Sequence, residues 1–245
     1  MTPVHEPCRL LEWDSEFFGF RIARAETDVL TAESASEIVR WCRDHAVVCL
    51  YFLARPDDSV TTSVAESEGF HLVDARVTLE RSVGQPAISS RADETVLRPA
   101  YPDDRAALRA IARRSHRDSR FYADPLFPRE KCDLLYETWI ERSCDGWAQA
   151  VLVAELRGAP CGYVTCHVDG PERAGRIGLV GVESEGQGQG VGTKLILGAL
   201  GWFEGAGVER LSVVTQLRNV RAQRLYQRCG FITGSVALWY HKWFQ

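Results

Sequence analysis

The chain has 245 residues, 45% of them hydrophobic and 25% charged, a balance typical of a soluble globular protein with one large domain or two small ones. Its formal net charge is -4 and it has no polybasic stretch, so we expect no nucleic-acid partner. No apolar run approaches the roughly 18 to 20 residues of a membrane span, and residues 1–12 lack the apolar core of a signal peptide. These features predict a cytoplasmic protein that does not bind membranes.

The eight cysteines and six histidines are dispersed along the chain, and no C-x-x-C pair occurs. Without a secretory signal, this scatter favours reduced thiols that serve as small apolar residues over a disulfide framework. We predict no metal site.

The first predicted segment, residues 1–83, has a dense aromatic stretch at 11–20 that must pack against another part of the protein. A helix is predicted at 32–45, where Ile38, Trp41 and Cys42 recur at helical spacing. A strand at 47–54, another helical stretch and an alternating strand at 73–79 follow.

The same order of elements recurs near the C-terminus, where a strand at 211–215 is followed by a helix and a last strand. Aligning Gly69 with Gly230 also places Asp58 on Asn219. We therefore interpret the N-terminal segment as a partial copy of the C-terminal one. It lacks a glycine-rich loop, so we expect it to extend the sheet and to form one wall of a substrate pocket without catalysing a reaction.

Residues 84–93 are rich in Gly, Pro, Ser and Ala and predict a linker, after which a second domain occupies 94–245. Its predicted elements are a strand at 95–98, a helix capped by residues 102–104, a helix at 129–142, antiparallel strands at 148–156, 162–168 and 177–182, a helix at 194–203, and the three C-terminal elements just described.

The stretch Gln-Gly-Gln-Gly-Val-Gly-Thr at 187–193 lies between a buried strand and a helix. Glycines let the backbone approach a phosphate closely, and the first N–H groups of a helix are unpaired and favour an anion. A dinucleotide loop, G-x-G-x-x-G, would need a third glycine where the chain has Val191 or Thr193. It would also need an acidic residue at the end of the next strand, where the chain has Gln216. A nucleoside-triphosphate loop would need Gly-Lys-Ser/Thr, whereas the order here is Gly-Thr-Lys. The pattern that fits is Q/R-x-x-G-x-G, carried by Gln187, Gly190 and Gly192.

At this loop the chain resembles the GCN5-related N-acetyltransferase (GNAT) family, and the resemblance covers roughly residues 95–245. The predicted order β-α-α-β-β-β-α-β-α-β is similar to that of the family. It implies an α/β fold in which helices flank a mixed central sheet, here preceded by a partial GNAT-like N-terminal half. It also implies acetyl-CoA as the cosubstrate. Because the chain has a single glycine-rich loop of this kind, we expect one active site per chain.

The resemblance further implies which residues hold acetyl-CoA. Backbone groups of Val180 and Val182 would bond the pantetheine and the thioester, and Asn219 would both cap its helix and bond the pantetheine arm. The pyrophosphate would be bound by the backbone of Gln187, Gly188, Gln189, Gly190, Val191, Gly192 and Thr193.

Tyr226 follows Asn219 in a sequence that matches the family pattern N-x-x-A-x-x-L-Y-x-x-x-G-F. A phenol with a pKa of about 10 suits proton donation to a departing thiolate, so Tyr226 is the candidate general acid. A packed core tyrosine is the alternative. In the partial copy, Ala65 falls at the corresponding position.

The general base is open from the sequence. Glu183, at the end of the strand before the loop, could take the proton of a substrate ammonium, although a glutamate there could equally be only solvated. His116, His167 and a chain of water molecules are the other candidates, and none stands out.

A narrower resemblance, to the dTDP-fucosamine acetyltransferase group, rests on W-D-S-E-F-F-G near the N-terminus, on 119–124 and on the closing W-Y-H-K-W. It implies a small-molecule acceptor, the 4-amino group of a dTDP-linked amino-dideoxyhexose, and Arg120, Phe121 and Asp124 as residues that contact it. The pair Glu183-Ser184 departs from the small residue and proline usual in the family.

Two other interpretations stay open at this point. One is a GNAT enzyme that acetylates another small amine, an antibiotic or a peptide N-terminus. The other is a non-catalytic acyl-CoA-binding module, against which the presence of Tyr226 counts. A homodimer is compatible with the sequence.

Overall fold

The computed structural model describes residues 6–84, 94–170 and 173–244, so nearly all of the predicted linker lies outside the described residues. The strands are β1 (Cys8–Leu10), β2 (Ile22–Ala25), β3 (Cys49–Ala54), β4 (His71–Ser82), β5 (Thr95–Pro99), β6 (Ala150–Leu156), β7 (Ala159–Asp169), β8 (Ala174–Val182), β9 (Arg210–Gln216) and β10 (Ile232–Trp243). The α-helices are α1 (Glu12–Phe18), α2 (Ala32–Asp44), α3 (Ser59–Ser67), α4 (Arg105–Ser115), α5 (Arg120–Ala123), α6 (Arg129–Arg142), α7 (Val191–Gly205) and α8 (Val220–Arg228).

These strands form one mixed sheet in the order β1-β2-β3-β10-β4-β9-β8-β7-β6-β5. The front face, which includes Tyr51, Tyr163 and Trp239, packs against α1, α4, α5 and α6. The back face packs against α2 and α3 at one end and against α7 and α8 at the other. The predicted α/β fold with helices on both sides of a mixed sheet is therefore confirmed.

Most predicted elements occur where the periodicity placed them. The helix predicted at 129–142 has those bounds, and the three strands before the glycine-rich loop form an antiparallel meander. The short elements β1, β2, α1 and α5 were not predicted, because three to seven residues are too few for a periodic pattern.

The two halves of the chain share the centre of the sheet by exchanging their last strands. β10, from the C-terminal half, pairs with β3, while β4, from the N-terminal half, pairs with β9. In the alignment that places Gly69 on Gly230, Ala54 corresponds to Thr215 and Val77 corresponds to Leu238. Leu238 pairs with Ala54 and Val77 pairs with Thr215, so the two strand pairings have the same register. This agreement supports the partial copy, while the domain boundaries at 83 and 94 stay a prediction.

All eight cysteines are free, and seven of them are buried, so they act as small core residues as expected. Within the described residues, no helix is long and apolar enough to cross a membrane.

Candidate functional site

The central feature of the site is an opening in the sheet between β8 and β9. These parallel strands pair only from Ala174 opposite Arg210 to Ile177 opposite Val213. Beyond these pairs β8 continues to Val182 and β9 to Gln216. The carboxyl ends of the two strands therefore separate, and a crevice of this kind is where open α/β sheets bind ligands.

A β-bulge turns the backbone of β8 toward this opening. The register with β7 shifts between the pairs Cys166–Ile177 and Val164–Val180, and the N–H of Leu179 donates to Oγ1 of Thr165 at 2.8 Å. Bulges of this kind re-aim a strand next to a functional site.

Past the bulge, the polar groups of Val180 and Val182 point into the opening. The N–H of Glu183 donates to the carbonyl of Cys161 on β7 at 2.9 Å. Successive residues of a strand direct their N–H groups to opposite edges, so those of Val180 and Val182 point away from β7. Since β9 does not reach them, no strand pairs with these N–H groups among the described residues, and the ligand role of Val180 and Val182 stays a prediction.

The glycine-rich loop leads from β8 to the first turn of α7. Gly188 and Gly190 have φ angles of 80° and 85°, in the left-handed region that glycine adopts without strain. In this loop and the first turn of α7, the backbone N–H groups that have no hydrogen-bond acceptor among the described residues are those of Gly188, Gly190, Val191, Gly192 and Thr193. Unpaired N–H groups at a helix N-terminus form an anion site.

Helix α8 packs directly beside this loop. A Cβ added to Gly192 would lie 3.1 Å from Cδ2 of Leu225, so glycine is what allows the two helices to approach. Nη2 of Arg221 donates to Oε1 of Gln187 at 2.6 Å, and Nε2 of Gln187 donates to the carbonyl of Val182 at 3.2 Å. Sequence reasoning missed Arg221, which brings a positive charge to the anion site.

Asn219 is the N-cap of α8, as predicted, because its Oδ1 accepts a hydrogen bond from the N–H of Ala222 at 3.0 Å. About two turns later, Tyr226 is 5% exposed and packs edge-on against Phe231. Its hydroxyl has no hydrogen bond in the described chain, and burial, with a smaller effect of Cys229, raises its pKa well above the ordinary value. The phenol is therefore a neutral donor without a protein acceptor.

Glu183 forms an ion pair with Arg114 of α4. One oxygen of this carboxylate is therefore occupied by the guanidinium and is not free to face a substrate amine. The structure thus gives this candidate base a structural partner that the sequence did not reveal.

The histidines considered as bases are packed against the sheet. His116 is stacked on Tyr136, and its Nε2 lies 2.9 Å from the hydroxyl of Tyr163. Burial lowers the pKa of His116 to about 4, so it is neutral at pH 7. Burial likewise lowers the pKa of His167, which lies against Thr165. Both histidines are integrated into the core around β7.

A second cluster, on the front face, contains the three predicted acceptor-binding residues. The guanidinium carbon of Arg120 lies 4.1 Å from the ring centroid of Tyr51, 4.2 Å from that of Phe121 and 4.3 Å from that of Trp239. Such cation–π contacts hold a charge without neutralising it. The cluster joins residues from the N-terminal half, from α5 and from β10.

Behind Arg120, a buried hydrogen-bond chain fixes its position. Nη1 of Arg120 lies 2.7 Å from Nε2 of His241, and Nδ1 of His241 lies 2.7 Å from Oδ2 of Asp124. Because an arginine only donates, Nε2 accepts and Nδ1 carries the proton that it donates to Asp124. Asp124 and Phe121 are buried, so they position Arg120 rather than lie on an accessible surface. Asp14 on α1 is the acidic side chain that interacts with Arg120, and burial raises its pKa.

The arrangement can bind two ligands, one on each side of the opening. The loop of α7 and the free edge of β8 match a phosphate attached to an extended polar arm. The front face offers guanidinium groups and aromatic rings for a charged, ring-containing molecule. Within the described residues, no group of three or more His, Cys, Asp or Glu side chains could hold a metal ion.

The model of the Acetyltransferase (GNAT) family matches residues 107–231. Over 246 residues the chain is 28% identical to the dTDP-fucosamine acetyltransferase of Escherichia coli. This match covers 98% of this chain and 100% of the relative. Over 149 residues it is 30% identical to the spore coat polysaccharide biosynthesis protein SpsD of Bacillus subtilis, a match that covers 60% of this chain and only half of the relative.

Solved structures share this fold. A GCN5-related N-acetyltransferase from Sphaerobacter thermophilus superposes with a TM-score of 0.69 at 16% identity, covering 96% of this chain and 76% of that one. Another from Kribbella flavida gives a TM-score of 0.65 at 15% identity, covering 98% and 88%. At these identities the likeness shows the fold alone.

Proposed function

The chain belongs to the GNAT acetyltransferase family and is an N-acetyltransferase, and we propose that it acetylates the amino group of a nucleotide-linked amino sugar, using acetyl-CoA. The 4-amino group of a dTDP-4-amino-4,6-dideoxyhexose is the acceptor we favour. The observation that carries this proposal is the opening between β8 and β9, with an anion site on one side and a front face of guanidinium groups and aromatic rings on the other. The full-length similarity to the Escherichia coli enzyme supports the choice of acceptor.

The residues around the opening fit acetyl-CoA. The unpaired N–H groups from Gly188 to Thr193 would hold its pyrophosphate, and Arg221 would add a charge to that site. The free backbone edge at Val180 and Val182 would hold the pantetheine and orient the thioester carbonyl. Acetyl-CoA supplies the acetyl thioester.

In the reaction, the neutral amine forms a bond to the acetyl carbon, the carbon–sulfur bond breaks, and coenzyme A leaves as a thiolate. Tyr226 donates its proton to that sulfur: its phenol is neutral and has no acceptor in the described chain, although burial raises its pKa and makes it a weaker acid than a free phenol. The phenolate of Tyr226 regains a proton from water once coenzyme A has left, and the amine nitrogen loses one proton as the amide forms. Because Glu183 is bonded to Arg114, we propose that water in the opening accepts this proton, with Glu183 at most relaying it.

The acceptor would lie on the front face against Arg120, with Phe121 and Asp124 keeping that guanidinium in place. Trp239, which is only partly buried, offers aromatic surface for a sugar or base ring, while the buried Tyr51 supports Arg120.

A panel of amines tests this function. Thiol release from acetyl-CoA is measured with the dTDP-linked 4-amino sugar, the free amino sugar, a polyamine, an aminoglycoside antibiotic and a peptide with a free N-terminus. We expect turnover with the nucleotide-linked sugar and at least tenfold lower kcat/KM with the others. Faster turnover with another amine would mean that this amine, and not the nucleotide-linked sugar, is the acceptor. Binding of acetyl-CoA without turnover of any amine would instead favour an acyl-CoA-binding module.

A further inference from the structure

Two arginines on the front face have no role in the site described so far. Arg24 on β2 lies opposite Tyr51 of β3, and Arg76 on β4 lies opposite Gln216 of β9. The guanidinium carbon of Arg24 is 5.8 Å from the ring centroid of Trp239 and that of Arg120 is 4.3 Å from it, so both charges lie near this ring. All these side chains are on one face of one sheet.

Neither Arg24 nor Arg76 forms an ion pair in the described part of the chain, although exposed arginines such as Arg173, paired with Glu209, do so. Nε of Arg76 is buried and has no hydrogen-bond acceptor. Burial, together with the charges of Arg24 and Arg176, lowers the pKa of Arg76. A buried, unsatisfied donor next to like charges destabilises the protein, and a bound anion would satisfy this donor and offset the repulsion.

A groove of about 1050 Å³ adjoins Arg24 at the ends of β2 and β3. Its lining carries Arg9 and Arg55 as well as Glu26, Asp28 and Asp57, and Arg76 is not part of it. Its position has a counterpart in the catalytic half. β2 and β3 form a parallel pair that begins at Ile22 opposite Cys49, and β8 and β9 form one that begins at Ala174 opposite Arg210. The shift that places Gly69 on Gly230 also places Cys49 on Arg210, so the two parallel pairs correspond. The groove thus lies at the ends of β2 and β3 as the catalytic opening lies at the ends of β8 and β9, and it has the size of a nucleotide-binding pocket.

We propose that Arg24 and Arg76 bind the diphosphate of the acceptor, with its nucleoside in the groove and its sugar directed to the opening. This inference rests on the proposed function and specifies how the acceptor is held. Neighbouring strands lie about 4.8 Å apart, so the opening beyond β9 is about 7 Å to the side of Arg76, which is close to the width of a hexose ring. The diphosphate would neutralise both arginines, and the amine would reach the thioester.

Phosphates could also come from coenzyme A, so the test titrates both ligands separately. Thymidine 5′-diphosphate and acetyl-CoA are titrated by calorimetry into the unsubstituted protein and into the variants Arg24→Gln, Arg76→Gln and Arg76→Lys. Arg173→Gln serves as the matched control, because it removes one exposed arginine far from the groove. Thermal unfolding shows that each variant is folded.

We expect Arg24→Gln and Arg76→Gln each to weaken thymidine 5′-diphosphate binding by at least tenfold, Arg76→Lys to recover part of the loss, and the control to change nothing. Acetyl-CoA affinity stays within twofold throughout, and the KM for the nucleotide-linked acceptor rises while kcat changes little. Unchanged diphosphate binding in both Gln variants, no binding by the unsubstituted protein, or a selective loss of acetyl-CoA affinity would overturn the inference. Diphosphate binding that depends on these arginines without acetyl transfer would refute the proposed function alone.

Discussion

Replacing Gly188 by alanine tests whether the loop before α7 holds phosphate through its backbone. Gly188 has a φ angle of 80°, and a Cβ built on it would have no atom within 4 Å. The substitution therefore introduces backbone strain without a steric clash, and an L-residue in the left-handed region costs about 1–2 kcal/mol. Because the loop is exposed, we expect it to relax in the free protein, so that the cost falls on ligand binding.

An energy of 1–2 kcal/mol corresponds to roughly 5- to 30-fold weaker binding of acetyl-CoA, measured by calorimetry. The affinity for acetyl-pantetheine, which lacks the pyrophosphate, should not change. Gly201→Ala is the matched control, since Gly201 also has open space around it but lies inside α7, where alanine stabilises a helix by about 0.5–1 kcal/mol. If Gly188→Ala binds acetyl-CoA as tightly as the unsubstituted protein does, the loop is not the phosphate site.

Three further predictions concern catalysis, packing and pH. Tyr226→Phe should lower kcat by about one to three orders of magnitude and leave the acetyl-CoA Kd unchanged, since the phenol acts only in the transition state. An unchanged kcat in steady-state kinetics would exclude Tyr226 as the general acid. Gly181→Ala would place a Cβ 2.6 Å from Cε1 of Tyr163, so chemical denaturation should show a loss of about 1–3 kcal/mol, whereas unaltered stability would mean that the ring does not cover β8. Burial lowers the pKa of His116 and of His241 to about 4 from an ordinary 6.5, so the unfolded chain binds protons first as the pH falls. The free energy of unfolding should therefore decrease between pH 6.5 and 4, by at most about 3 kcal/mol per histidine. If His241 contributes to this decrease, the free energy of unfolding of a His241→Asn variant should fall less steeply with decreasing pH.

The features that sequence predicted well are local ones. The glycine spacing at 187–193 and the helix at 129–142 depend on residues that are neighbours in the chain. Asn219 as an N-cap follows from the same kind of short-range hydrogen bond. The interactions that cause such local patterns lie within a few neighbouring residues, so a single sequence is enough to recognise them.

The features that sequence did not predict join distant residues. The exchange of β4 and β10 between the halves is a matter of strand pairing, and both partners of each strand have similar apolar patterns. The enclosure of Arg120 by Tyr51 and Trp239 joins three separate parts of the chain. The ion pair of Glu183 with Arg114 could not be foreseen for the same reason, although it changes the choice of base.

The central claim is acetyl transfer to a nucleotide-linked amine in the opening between β8 and β9. The most direct measurement incubates the protein with acetyl-CoA and the dTDP-linked 4-amino-4,6-dideoxyhexose, and follows thiol release together with the NMR spectrum of the sugar product. The account predicts one acetyl group on the 4-amino nitrogen for each thiol released, and no reaction of the sugar that has a 4-hydroxyl group instead. Thiol release without N-acetylated sugar, or no release although both ligands bind, would contradict it.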